Sequence, residues 1–236
     1  MDALSFILDI LEPLDILALS FFVGFWLLYE IIIDHSSLRH KSLSGMMAHK
    51  RREWMLVFAE RELRMFDEGL NSSLQRGTGF FASVSIFAIG GCFALLNATD
   101  VVLGIFKDLN VVESNLRAAW ELKIMGLTVI FVYSFFKFAW AYRLFNYCAI
   151  LMGSVPMPGK AEKEYIKKQS LLIAKMNMTA SKHFTAGTRG IFFACAYIGW
   201  LVGPLTMMFA TVFVMLVLIR RQFFSNARKA LDEAQA

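Results

Sequence analysis

Cysteine is scarce in this chain and never closely spaced. Cys92, Cys148 and Cys195 are the only three in 236 residues, each in or beside an apolar run. Without a Cys-x-x-Cys pair there is no zinc-ribbon, thioredoxin-type or haem-attachment motif, and all three read as free, buried, unreactive thiols. Charge is sparse as well: Asp, Glu, Lys and Arg make up 18% of the residues, against about 25% in soluble domains. No Walker A loop, GxGxxG turn or GxSxG elbow occurs. The sequence therefore carries no enzyme signature and no expectation of a cofactor.

Apolar residues are abundant, at 57% of the chain, and they are unevenly placed. Four long runs stand out, at about 14–33, 79–98, 122–151 and 190–219. Twenty helical residues span about 30 Å, the thickness of a bilayer core, so each run is long enough to cross. The flank of the first run is acidic, with Asp2, Asp9 and Glu12. A cleaved leader needs a basic start, so an uncleaved first span is expected. The fold class is all-α: a polytopic helical membrane protein with four transmembrane helices and two cytoplasmic amphipathic helices, in one membrane domain.

The net charge of +5 comes from 24 Lys and Arg against 19 Asp and Glu. No nucleic-acid-binding signature accompanies it, so no nucleic-acid partner is expected. The basic residues concentrate in two segments, eight in 34–78 and seven in 152–189, with only Lys107 and Arg117 in 99–121. Positive loops stay in the cytoplasm. The N-terminus is then outside, and the setting expected is a bacterial inner membrane. Four spans would leave Arg220, Arg221, Arg228 and Lys229 outside, against the same rule. The last run is read as one long helix kinked near Pro204. The alternative, left open, is a re-entrant pair turning at Gly203 and Pro204.

Both basic segments have helical composition. In 50–76, Met55, Ala59, Leu63, Phe66, Leu70 and Leu74 recur every three or four residues, one continuous helical stripe. The second segment opens with the turn SVPMPGK and continues as a helix over about 160–184, with Leu171, Ala174 and Met178 on one face. These faces are expected either to pack on each other below the membrane or to dock a protein partner or anionic lipid.

Inside a bilayer, helices associate through small residues. Gly79, Ser83, Gly90 and Ala94 on the second run, and Cys195, Gly199 and Gly203 on the fourth, are the candidate packing positions. They are compatible with a homo-oligomer. His35, His40 and His49 gather near Asp34, but their spacing matches no zinc signature and no metal is expected.

The third run contains SFFKFAWAYRLFNY, with charges amid aromatics. Intramembrane charges are costly and mark function by default. Arg143, with Trp140, Tyr142, Asn146 and Tyr147, reads as the cytoplasmic boundary, an aromatic belt with a snorkelling cation. Lys137 lies about 9 Å deeper. Glu30, near the cytoplasmic end of the first span, is the expected partner of Lys137 in an ion pair.

Several stretches carry a resemblance: RREWM (51–55), RELRMFD (61–67), GFFAS (79–83), FFKFAWAYRLFNYCAILMGSVP (135–156) and Arg-Gly followed by Phe at 189–192. In these the chain resembles a family of uncharacterised multi-pass membrane proteins found in bacteria and plants. The resemblance implies a helical membrane protein and assigns no activity. Three functional readings remain: an oligomeric, channel-like assembly passing anions; a scaffold or accessory subunit recruiting a partner through its cytoplasmic helices; and a membrane-embedded enzyme or lipid-handling protein.

Overall fold

The structure is a computed structural model that describes residues 10–35, 40–108 and 116–233. All regular structure among them is helical: α1 (Pro13–His35), α2 (Leu43–Glu60), α3 (Met65–Asn97), α4 (Thr99–Asp108), α5 (Leu116–Ser154), α6 (Lys163–Ile198), a 3-10 turn (Gly199–Leu201), α7 (Pro204–Phe223) and α8 (Asn226–Glu233). Four helical stretches are long and apolar enough to cross a membrane: Pro13–Ile33, Met65–Asn97, Arg117–Ser154 and Pro204–Glu233. The chain is a membrane protein.

The 39-residue α5 is the axis of the fold. At about 58 Å it is roughly twice as long as a bilayer core is thick. The 36-residue α6 runs antiparallel along it. Gly126 faces Tyr197, Ser134 faces Gly190, and Phe138 faces Gly187. Further along, Phe145 packs with Ala180 and Val155 with Ile166. These glycines let the backbones approach. A Cβ on Gly187 would fall 2.8 Å from the Phe138 ring, and one on Gly190 would collide with Ser134. On its other side α5 receives α3, also antiparallel. Gln75 donates to Asn146 at 2.6 Å, Asn71 donates to the Phe145 carbonyl at 3.0 Å, and Phe81 stacks on Phe138.

The main core lies among α1, α5, α6 and α7. Phe22 meets Phe193 and Tyr197 edge-on, and Trp26 stacks on Phe193 with ring centroids 5.0 Å apart. A second core sits at the far end of the α5–α6 hairpin. There Met55 and Phe58 of α2 pack against Cys148, Met152, Ile166, Ile173 and Ala174. The amphipathic face of α2 is thus buried against α6, the internal-packing reading of the two basic segments.

The apolar run 190–219 is not one kinked helix. Its first part is the end of α6, and its last part is α7. Between them, Val202 and Gly203 donate to the Gly199 carbonyl at 3.2 and 3.1 Å. Gly203 is extended and Pro204 opens α7. Proline disfavours helix in the residue before it and suits the first helical position after it, so the pair ends one helix and starts another. The Gly199-x-x-x-Gly203 spacing therefore belongs to a turn. Gly199 fits closely against the Thr206–Met207 backbone, and nothing lies within 4 Å of a Cβ on Gly203.

This division brings the basic tail to the end where the basic segments lie. Gln222 bonds Ser44 through both its amide groups, and Arg228 Nε donates to the Lys41 carbonyl at 2.8 Å.

The stripe expected over 50–76 is also broken. The α2 helix ends at Glu60 and α3 begins at Met65, with Arg61 extended between them. Asp67 causes the corner: fully buried, it accepts from the Trp54 indole at 2.7 Å and pairs with Arg61 at 2.6 Å. Met55 is consequently buried, whereas Leu63 stands out, 81% exposed.

Candidate functional site

The polar groups of the helical layer fall at successive depths along α5. At one end Lys123 lies 3.4 Å from Asp15, which also accepts from the Trp200 indole. Lys123 sits over the Trp200 ring, 5.3 Å from its centre. This cluster pins the α6–α7 turn to α1 and α5.

Midway, one carboxylate oxygen of Glu30 in α1 accepts from Tyr133 at 3.1 Å and Trp26 at 3.3 Å and forms an ion pair with Arg189 at 3.9 Å. Arg189 is 5% exposed and faces the Tyr29 ring. Tyr133 precedes Arg143 by ten residues, about 15 Å of helix, and Arg189 is buried at the level of Tyr133. There an unpaired charge is expensive, and the carboxylate with its phenol and indole donors offsets that cost.

The structure does not bring Lys137 onto Glu30. Lys137 lies one turn beyond Tyr133, its ammonium 5.1 Å from the centre of that ring. The depth estimate placed Glu30 near the right level, but the position on α5 facing it is Tyr133, and the cation comes from α6. Arg189 went unrecognised because it closes a lysine-rich segment and stands one residue before the run at 190. The signal available was the length of that run, well beyond one crossing.

At the boundary expected from the sequence, Arg143 donates to the Tyr147 hydroxyl at 2.6 Å. Trp140 is exposed and edge-on to His183, Tyr142 packs beneath Gly79, and Asn146 holds Gln75. Of the small residues expected to pack on α3, only Gly79 meets another helix of this chain; Ser83, Gly90 and Ala94 are exposed. Cys92 and Cys148 are buried, but Cys195 is exposed. It lies between Ala194 and Ala196, which both turn inward. His40 is exposed and His49 pairs with Glu53 at 3.0 Å. The side chains of Asp34 and His35 lie outside the described residues.

Below Arg189 a cavity of about 50 Å³ opens between the end of α1, the start of α2 and the middle of α6. Three cations line it: Arg189 at one side, Arg51 from α2, and Lys182, exposed, from α6. Ser42, Ser44, Ser181 and Thr185 add hydroxyls. Among the described residues no carboxylate lines it. Arg51 donates to the neutral Asn177 side chain, and its Nε is buried without a hydrogen-bond partner. Burial pulls the Arg51 guanidinium below its ordinary range, because desolvation penalises the charged form. Ser42 caps the N-terminus of α2, bonding the Gly45 amide at 3.1 Å. The positive end of that helix dipole therefore also faces the cavity.

The stretches RREWM and RELRMFD build the frame behind this cavity. Trp54, Arg61 and Asp67 lock the α2–α3 corner. Arg64 donates to the Pro156 carbonyl at 2.9 Å and lies over the Phe58 ring, 4.4 Å from its centre, clasping the turn after α5.

A family model described as "Protein of unknown function, DUF599" matches residues 17–227. No curated protein and no solved structure matches.

Proposed function

We propose that this chain, which belongs to the DUF599 family of proteins of unknown function, binds anions at the cytoplasmic face of the membrane and conducts them as an oligomer. The observation that carries this reading is the cavity where Arg51, Lys182 and Arg189 converge with no carboxylate among its described lining residues. Rings and clusters of basic side chains favour anions in permeation pathways.

The orientation follows from charge. The basic segments, Arg220, Arg221, Arg228 and Lys229 gather at one end, which the positive-inside rule assigns to the cytoplasm. The N-terminus is then outside and the C-terminus inside, with α1, α3, α5, α6 and α7 as five crossings of a bacterial inner membrane. Self-association belongs to the same reading: Gly90 and Ala94 are exposed on α3 and open to a second copy. In proteoliposomes the protein should release chloride or phosphate but not potassium. Lys182→Glu should cut that release about tenfold. Liposomes that leak no anion at all would eliminate conduction.

A second reading, partner recruitment, is favoured by the α2–α3 corner. Leu63, Met65 and Phe66 are 81%, 82% and 64% exposed, side by side, beyond the apolar layer. An exposed apolar cluster of this kind marks a protein contact. Leu63→Ser with Phe66→Ser should abolish co-purification of a protein partner while leaving thermal stability unchanged. Unaltered co-purification would rule out this corner as the docking point.

A further inference from the structure

Anion chemistry at the Arg51–Lys182–Arg189 cavity can be taken one step further than the anion-binding reading on which it rests. We infer that the cavity receives a doubly charged tetrahedral oxyanion of the phosphoryl type, either inorganic phosphate or the phosphomonoester headgroup of a lipid.

Charge is the first argument. Glu30 offsets Arg189 at 3.9 Å. Arg51 is bonded to a neutral amide, and Lys182 makes no ion pair with another described residue. Among the described residues two positive charges are therefore left, and the dipole of an 18-residue helix adds to them. That sum matches a dianion better than a halide.

Donor geometry is the second. A guanidinium presents a planar fork that fits two oxygens of a phosphoryl group, and its donors have no comparable use toward a spherical ion. Asn177 anchors one arm of Arg51, which holds the guanidinium in place at the cavity wall. Ser181 offers a hydroxyl for a further oxygen, whereas those of Ser44 and Thr185 are engaged by Gln222 and by the Ser181 carbonyl.

Size is the third. A volume of about 50 Å³ has room for one small ion of a few atoms and none for an extended organic ligand. Ile33 and Met178 wall the cavity on the apolar side, and exposed Lys182 marks its mouth.

The test uses the full chain in phosphatidylcholine nanodiscs, with binding read as thermal stabilisation. Sodium phosphate and sodium chloride are titrated at equal ionic strength, and a second set of discs carries phosphatidate. Phosphate should stabilise the protein at concentrations at least tenfold below those at which chloride does. Lys182→Gln, and separately Ser181→Ala, should each weaken the phosphate response several-fold without lowering the ligand-free melting temperature. Stabilisation by sodium phosphate alone assigns the free ion, and by phosphatidate alone the lipid headgroup. Equal responses to chloride and phosphate would overturn the phosphoryl assignment while leaving the anion-binding reading intact. No response to any of the three would remove both.

Discussion

Asp67→Ala is expected to cost about 3 kcal/mol of stability, near the low end of the loss for breaking a buried ion pair. Asp67 is fully buried at the α2–α3 corner, and one of its oxygens serves both the Trp54 indole and Arg61. Alanine strands both donors. The loss stays at the low end because the Arg61 side chain is 34% exposed and can rehydrate. Asp67→Asn keeps an acceptor for the indole and should lose about half as much. Denaturant unfolding in detergent measures both, and fluorescence of Trp54 reports on the corner itself. A loss below about 1 kcal/mol for the alanine variant would mean that the corner is held by its apolar contacts alone.

Arg189→Met should be the other severe variant. It leaves Glu30 without its cation, with Tyr133 and Trp26 as its remaining partners among the described residues. The expected cost is about 3–5 kcal/mol. Glu30→Gln in the same background should recover much of that, giving a coupling between the two sites of about 1–3 kcal/mol in a double-mutant cycle. Additive losses would break the pairing. Lys137→Met provides the contrast. Its ammonium faces the Tyr133 ring at 5.1 Å, a contact worth about 1 kcal/mol at most in a partly exposed setting, so its unfolding curve should barely move.

The two variants also show where sequence reading reached its limit. The apolar runs were legible, because entry into a bilayer depends on composition summed over some twenty residues. So was the burial of α2 against α6, since an amphipathic face needs a partner and the nearest is internal. Periodicity said less about where a helix stops. Met55, Ala59, Leu63 and Phe66 keep helical spacing straight through a corner that depends on Asp67, a residue outside the stripe. Hydropathy likewise hid the fourth boundary. The runs of α6 and α7 are contiguous in sequence, and the turn from Gly199 to the extended Gly203 before Pro204 separates them.

The candidate site was the least legible part. Its cations, Arg51, Lys182 and Arg189, lie on two helices far apart in the chain, and each sits in a segment already rich in basic residues. Nothing local distinguishes an arginine that lines a cavity from one that faces solvent. The close helix contacts were equally hidden. Gly126, Gly187 and Gly190 matter because of what stands opposite them, and Gly90 and Ala94, with the same composition, face outward.

The length and polarity of α6 bear on how the protein is made. Four apolar stretches can each partition into a bilayer as they leave the ribosome. The helix α6 is not among them: its first half carries Lys163, Lys167, Lys168 and Lys175, and its second half carries Lys182 and Arg189. On the topology proposed above it cannot insert alone. Its apolar end must wait for α7, so that the pair enters as a hairpin closed by Gly203 and Pro204. The surface of α5 around Ser134 and Phe138 must already be in place to receive Gly190 and Gly187, with Glu30 beside it to meet Arg189. Insertion of the last two helices is then a docking step onto a preformed three-helix template, and the order of synthesis becomes part of the fold.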